Sequence, residues 1–147
     1  RLWLNDPDCM VQISKKAIVI DAAGQIAKDE ALTEDEYAFQ AACIFASGGI
    51  LMSGDDMVRY TDRELTLLQR FLRIAPPPAQ FQDTAFTHGI SQKDGYTYHC
   101  LFNFGEEPIR TAVADDGYDV INNCHCSGTM TLPPHCGKIL RTKSMQA

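Results

Sequence analysis

Three consecutive prolines, Pro76-Pro77-Pro78 in the stretch IAPPPAQ, divide this chain into halves that follow different rules. Each proline fixes φ near −65° and lacks an amide hydrogen, so a helix must end before the run and the run itself is extended. The residues before it recur at helical spacing, and many of those after it alternate every second position. Such a chain joins a helix-bearing half to a β half.

On the N-terminal side, LTEDEYAFQAACIFASGG predicts a helix over 33–49. Thr33 and Glu36 have the spacing of a capping box, in which each side chain satisfies the other residue's amide. Tyr37, Ala41, Ile44 and Phe45 recur on one face, with Cys43 placed there too, and Gly48-Gly49 stops the helix. ILMS, 50–53, predicts a short buried strand. A second helix starts at Thr61, where Glu64 completes another capping box, and Leu65, Leu68 and Leu72 line its apolar face. An opening strand around Leu2–Asn5, followed by a long excursion, gives the order β-α-β-α of a parallel sheet covered by helices. A (β/α)8 barrel takes about 250 residues, roughly 30 per unit. Residues 1–75 therefore amount to about two units, too few to close a barrel or to cover a parallel sheet.

On the C-terminal side, YTYHCLFNF, IRTAVA, YDVINN and GKILRT are separated by GEEP, DDG, CSG and PPHCG. Short alternating segments between turn residues predict an antiparallel sandwich or barrel. Phe102 and Phe104 flank Asn103 in the manner of core strand residues. His88 and His99 show no partner and read as ordinary surface or strand histidines.

The net charge of −6 and pI near 5.0 argue against nucleic acid, where phosphate neutralisation supplies much of the affinity. A small neutral ligand such as a sugar suits the charge better. No apolar run approaches the ~20 residues of a membrane helix. The cysteines, Cys9, Cys43, Cys100, Cys124, Cys126 and Cys136, have no even framework of spacings and read as reduced thiols of a cytoplasmic protein. CHC at 124–126 and HC at 135–136 have the residue types of a zinc site but match no standard ligand spacing, so no metal is expected.

WLNDPDC at 3–9 resembles the W-x-N-D-P-D signature of melibiase-type α-galactosidases, glycoside hydrolase clan D. ASGGILMSGDDM is similar to that family's SGG-x-x-x-x-SDD-L segment, a Leu/Arg-rich helix follows, and LPPHCGKILR is similar to its LPPH and final strand. The bacterial, family 36-like branch is the nearer pattern, and residues 14–31 depart from it. The resemblance implies the last two β/α units of a (β/α)8 barrel followed by a C-terminal antiparallel β-sandwich domain. Residues 1–75 would be the barrel end, 76–78 a proline linker and 79–147 the β domain. A chain that opens on Arg1 beside an active-site loop would then be the C-terminal portion of a longer enzyme.

Retaining glycosidases need two carboxyl groups about 5–5.5 Å apart, on opposite sides of the scissile bond. Asp6 and Asp8 of DPD cannot be that pair, because i and i+2 side chains of an extended segment point the same way, roughly 6.6 Å apart. The resemblance places nucleophile and acid/base on earlier barrel strands, so no catalytic residue is expected here. It implies instead that Asp8 and Cys9 line a galactose pocket, Asp8 accepting hydrogen bonds from sugar hydroxyls, with Trp3 shaping the loop. Cys9 stands where related enzymes carry methionine. Asn5 and Asp6 read as loop residues that satisfy local amides, and Asp55 and Asp56 as loop carboxylates before a helix N-terminus.

The implied activity is hydrolysis of terminal α-galactosides by the intact protein. The isolated chain is expected to be inactive, to need no cofactor, to meet a galactose-containing oligosaccharide but no nucleic acid or membrane, and to form homo-oligomers. Two other readings stand beside it. One is a standalone carbohydrate-binding or interaction protein, which would need exposed aromatic platforms. The other is a fragment of a raffinose-synthase-like transglycosylase.

Overall fold

The computed structural model describes residues 7, 9–12, 17–20, 23–24, 26–30 and 32–144, with backbone only for 17–20 and 26–30. The strand expected around Leu2–Asn5 lies outside the described residues. Strand β1 (Cys9–Met10) is followed by the antiparallel pair β2 (Ala17–Ile20) and β3 (Ile26–Glu30). Helix α1 (Glu34–Ser47), β4 (Met52–Ser53), a 3-10 turn at Met57–Arg59 and helix α2 (Asp62–Ile74) complete the N-terminal half.

Both helices begin as their sequences require. The Glu36 carboxylate accepts from Thr33 N at 2.7 Å, and Thr33 Oγ1 accepts from Glu36 N at 3.2 Å. Thr61 and Glu64 repeat the arrangement. Gly48 ends α1 with φ of 57°, and a Cβ there would lie 2.2 Å from Pro78 N. The proline run is thus packed against its neighbours. Pro76 is buried, Ala79 N donates to Ala46 O at 2.8 Å, and Ser91 Oγ donates to Pro77 O at 2.7 Å.

Two expectations for this half need correction. The buried residues of α2 are Leu68 and Phe71, whereas Leu65 and Leu72 are 43% and 56% exposed. The face that meets the core carries Leu67, Leu68, Phe71 and Ile74, so it is rotated about the helix axis away from the side that bears Leu65 and Leu72. The strand expected over 50–53 shrinks to Met52–Ser53 and is not buried, Met52 being exposed and Ser53 half-buried. It pairs in parallel with β1, Cys9 opposite Met52 and Met10 opposite Ser53. Met10 and Leu51 pack into the core beside the helices, while Ile50 and Met52 remain 44% and 38% exposed.

The C-terminal half comprises β5 (Gln80–Phe81), β6 (His88–Lys93), β7 (Tyr96–Asn103), β8 (Ile109–Val113), β9 (Tyr118–Asp119), β10 (Cys124–His125), β11 (Gly128–Leu132) and β12 (Cys136–Lys143). Six strands form an antiparallel sheet in the order β10-β9-β12-β7-β6-β5, and β8 pairs with β11 separately. Tyr98, Cys100, Phe102 and Ile139 join the helices in one core, which therefore spans both sides of the proline run. Leu101 and Leu140 pack with Val113 and Leu132 of the β8–β11 ribbon in a second core. The molecule is mostly β, with two helices on one face of the main sheet and a ribbon on the other.

Helix α1 also comes close to the main sheet at Gly137 of β12. A Cβ there would lie 2.8 Å from both Ala42 Cβ and Phe39 Cα. Because one of those atoms is backbone, α1 would have to move. Gly137→Ala is expected to destabilise the fold by about 1–3 kcal/mol, the range for overpacking. Ala42→Gly in the same chain should recover part of the loss, as measured by urea denaturation.

Candidate functional site

The residues expected to touch substrate sit at the head of the chain. Trp3, Asn5, Asp6 and Asp8 lie outside the described residues. Cys9 lies within them, half-buried on β1 opposite Met52. Gly54, just past β4, lies so close to Cys9 that a Cβ would come within 3.0 Å of the cysteine Cβ and 3.3 Å of Val11 Cγ2. Gly54 N donates to Met10 O at 3.0 Å, carrying the ladder one step beyond β4.

A polar network surrounds this point. Asp55 Oδ2 accepts from Gln12 N at 2.5 Å and from Tyr60 Oη at 3.0 Å. Ser53 Oγ sits 2.6 Å from Tyr60 Oη and accepts from Asp55 N at 3.3 Å. Val11 N donates to Gln40 Oε1 of α1 at 3.0 Å, and Gln12 Nε2 donates to Glu64 O of α2 at 3.2 Å. Burial raises the Tyr60 hydroxyl above the ordinary tyrosine range, so it stays a donor. Tyr37 is raised by burial and, more weakly, by the Asp55 and Glu34 charges; its hydroxyl is buried with no hydrogen-bond partner among the described residues. Asp56 caps the 3-10 turn, its Oδ1 accepting from Val58 N at 3.3 Å. Asp55 and Asp56, adjacent in sequence, thus hold different things: one ties β1 to the loop after β4, the other starts a turn.

Gln12, Gln40 and Tyr60 were not singled out in the sequence. A glutamine inside the apolar run AFQAAC was the one available signal, since a polar side chain on a packed helix needs a partner. A cleft of about 770 Å³ opens beside them, between α1, α2 and the loop after β9. Val11 and Gln12 line it together with Glu34, Arg63, Arg70 and Asn122.

Several other expectations change on folding. His88 and His99 are partners: His88 Nε2 lies 3.0 Å from His99 Nδ1 across β6 and β7. Asp83 accepts from the His88 amide at 3.0 Å, and Thr142 Oγ1 lies 3.5 Å from His99 Nε2. Cys43 is exposed, and it shares an aromatic groove with Phe81, Phe86, Phe102 and Phe104. Phe102 is buried as expected, but Phe104 is 53% exposed because β7 ends at Asn103. No disulfide joins the described cysteines, and no three His, Cys, Asp or Glu among the described residues converge as metal ligands. Cys124 is exposed on β10, whereas Cys136 is fully buried on β12.

No family model and no curated protein matches this sequence. Solved structures do. A GH27 β-L-arabinopyranosidase of Geobacillus stearothermophilus aligns over 95% of this chain and 37% of its own, with a TM-score of 0.65 and 16% identity. A candidate α-galactosidase/melibiase of Bacteroides fragilis aligns over 95% of this chain and 34% of its own, with a TM-score of 0.64 and 20% identity. α-Galactosidase I of Mortierella vinacea aligns over 75% and 36%, with a TM-score of 0.53 and 15% identity. At these identities the likeness is one of fold, and that fold is of the melibiase type. The chain spans 34 to 37% of the length of these structures.

Two measurements probe this geometry. Burial lowers the pKa of both histidines, partly offset at His88 by Asp83, while the unfolded chain titrates near 6.5. Below that pH the unfolded state takes up protons that the folded pair resists. Stability should therefore be complete above about pH 6.5 and decline as pH falls toward 5. His99→Gln should flatten that decline in urea midpoints taken at pH 7, 6 and 5. In a second experiment, iodoacetamide should label exposed Cys124 first. Cys43, reachable but set in the aromatic groove, whose desolvation pushes its thiol up to about 11, should react more slowly, and buried Cys100 and Cys136, pushed up to about 12, only on unfolding. Peptide mapping resolves each site.

Proposed function

We propose that this chain is the C-terminal portion of a retaining glycoside hydrolase acting on terminal α-galactosides, its barrel ending at residue 75 and its β domain beginning at 79. The observation that carries the reading is the parallel pair β1–β4. Met10 is packed against helices, whereas Ile50 and Met52 stay 44% and 38% exposed among the described residues. Parallel strands occur almost only inside larger sheets with both faces covered, so a two-stranded parallel pair with partly exposed residues fits as part of a larger covered sheet. Fold likeness to glycosidases of which this chain matches 34 to 37% supports the same conclusion.

In this reading Asp8 and Cys9 contribute one wall of the sugar pocket, with Trp3, Asn5 and Asp6 shaping the loop. Asp8 accepts hydrogen bonds from ring hydroxyls. α-D-Galactosides and β-L-arabinopyranosides present those hydroxyls alike and differ at the C6 hydroxymethyl, which fits the names of the structural neighbours. The nucleophile and the acid/base, which must flank the bond from opposite sides, come from strands upstream. No cofactor is called for, and the six thiols suit the cytoplasm. No described helix is long and apolar enough to cross a membrane.

A binding module built on the β half is the competing reading. Phe86 and Phe104, 57% and 53% exposed, are the platforms it would use. Galactose titration by calorimetry of the chain and of its Phe86→Ala and Phe104→Ala variants tests it: heat that is lost in both variants supports this reading, and no heat with the unaltered chain sinks it.

An antibody raised to residues 79–147 should detect a polypeptide several times heavier than 16.3 kDa in the source cells. The isolated chain should release no nitrophenol from a synthetic α-galactoside, while the heavier polypeptide does. A native band at 16.3 kDa, or turnover by the isolated chain, sinks the proposal.

A further inference from the structure

We infer that Gln40 and Asp55 are positioning residues that clamp the segment following Cys9 and so set the depth of the sugar pocket wall; this rests on the reading just given. The ladder between β1 and β4 stops at Met10 and Ser53, extended only by Gly54 N to Met10 O. The next two amides, Val11 and Gln12, have no strand beside them among the described residues. Side chains from elsewhere take both. Gln40 of α1 accepts from Val11 N at 3.0 Å, and Asp55, after β4, accepts from Gln12 N at 2.5 Å.

Each acceptor is itself held. Tyr60 donates to the same Asp55 oxygen at 3.0 Å and has Ser53 Oγ 2.6 Å behind it, which fixes the carboxylate's rotation. A hydrogen bond to an ionised acceptor is of the stronger kind. The Gln12 side chain then returns to Glu64 O on α2 at 3.2 Å. Three elements, α1, the loop after β4 and α2, therefore converge on one two-residue segment. That segment lies directly between Cys9 and the excursion that carries β2 and β3. It cannot slide along β4 without breaking bonds to two side chains at once. A contact wall held in this way keeps its place to the fraction of an ångström that sugar recognition needs.

The test uses the polypeptide as the source cell makes it, with Asp55→Asn, Gln40→Leu and Tyr60→Phe variants and two readouts. Hydrogen exchange should quicken about tenfold at Val11 and Gln12 in the first two variants and about threefold in Tyr60→Phe, while β6, β7 and β12 stay protected. KM for a nitrophenyl α-galactoside should rise about tenfold with kcat changed less than about threefold, because the reacting carboxylates are not on this segment. Unchanged exchange at Val11 and Gln12 overturns the clamp. A lower melting temperature with unchanged KM also overturns it, by reducing these side chains to scaffold. A native polypeptide that hydrolyses no α-galactoside overturns the reading of the pocket instead, and the exchange rates still decide whether the clamp exists.

Discussion

Helix α1 lies on strand β12 at a separation that leaves no room for a Cβ at Gly137, where one would come within 2.8 Å of Ala42 and of the Phe39 backbone. A larger side chain at Ala42 would push the helix off that contact, which Ala42 Cβ, the Phe39 Cα and the Ala38 carbonyl make. The large side chains of α1 reach past it on either side. Phe45 meets Phe71 and Tyr98, with ring centroids 5.1 and 5.5 Å apart, and Phe39 meets Phe102 and Phe104 at 5.6 and 5.2 Å. Had the helix stood off by the width of a methyl group, the ring pairs it makes with the sheet would lose contact and the core would hold voids, each with a cost in stability. The packed proline run follows from the same closeness, since Gly48 and Pro78 can touch only where α1 already lies on the sheet.

Polar groups lock the sheet where apolar packing runs out. Buried Asn103 donates to the carbonyls of Glu107, Leu132 and Pro133 and accepts from Gly105 N, holding the ends of two loops to β7. Asp119, nearly inaccessible, accepts from the amides of Ile121 and Asn122 and from Lys138 Nζ at 3.2 Å. With that many donors its buried charge is compensated, which is the condition for tolerating it. Arg141 lies over the rings of Tyr96 and Tyr118, 4.7 and 4.5 Å from their centroids. Arg70 of α2 donates to Val120 O at 2.5 Å, tying the second helix to the β half as well.

The parallel pair is the opposite case. β1 and β4 share only two register pairs, and their alignment depends on side chains, Gln40 and Asp55, as much as on the ladder. A short strand held by side chains is economical where residues must be displayed at a strand end, because the backbone past the ladder stays fixed without more sheet. The exposure of Ile50 and Met52 and the side-chain clamp at Val11 and Gln12 are two aspects of one arrangement. Among the described residues, Ile50 and Met52 stay partly exposed beside the pair, and polar side chains take the Val11 and Gln12 amides past its end.

What could be read from the sequence was whatever depends on near neighbours. The capping boxes at Thr33–Glu36 and Thr61–Glu64, the stop at Gly48 and the break at Pro76–Pro78 each involve residues within four positions, so their geometry follows from local chemistry. The alternation of β7 and β12 was legible because one sheet face meets the helices and the other the ribbon. Strands β5, β6, β10 and β11 were not, since HGISQK and GTMTL carry small polar residues whose pairing only the neighbouring strands supply. The residues that resemble a glycosidase motif, Trp3 to Asp8, could be named from sequence, but nothing local says what holds the chain beyond them. Gln40 finds Val11 across 29 residues and Asp55 finds Gln12 across 43. Leu68 is buried and Leu65 is not, Cys43 faces outward, and His88 meets His99. Each of these outcomes rests on where elements distant in the chain come to lie, which is why only the tertiary structure decided them.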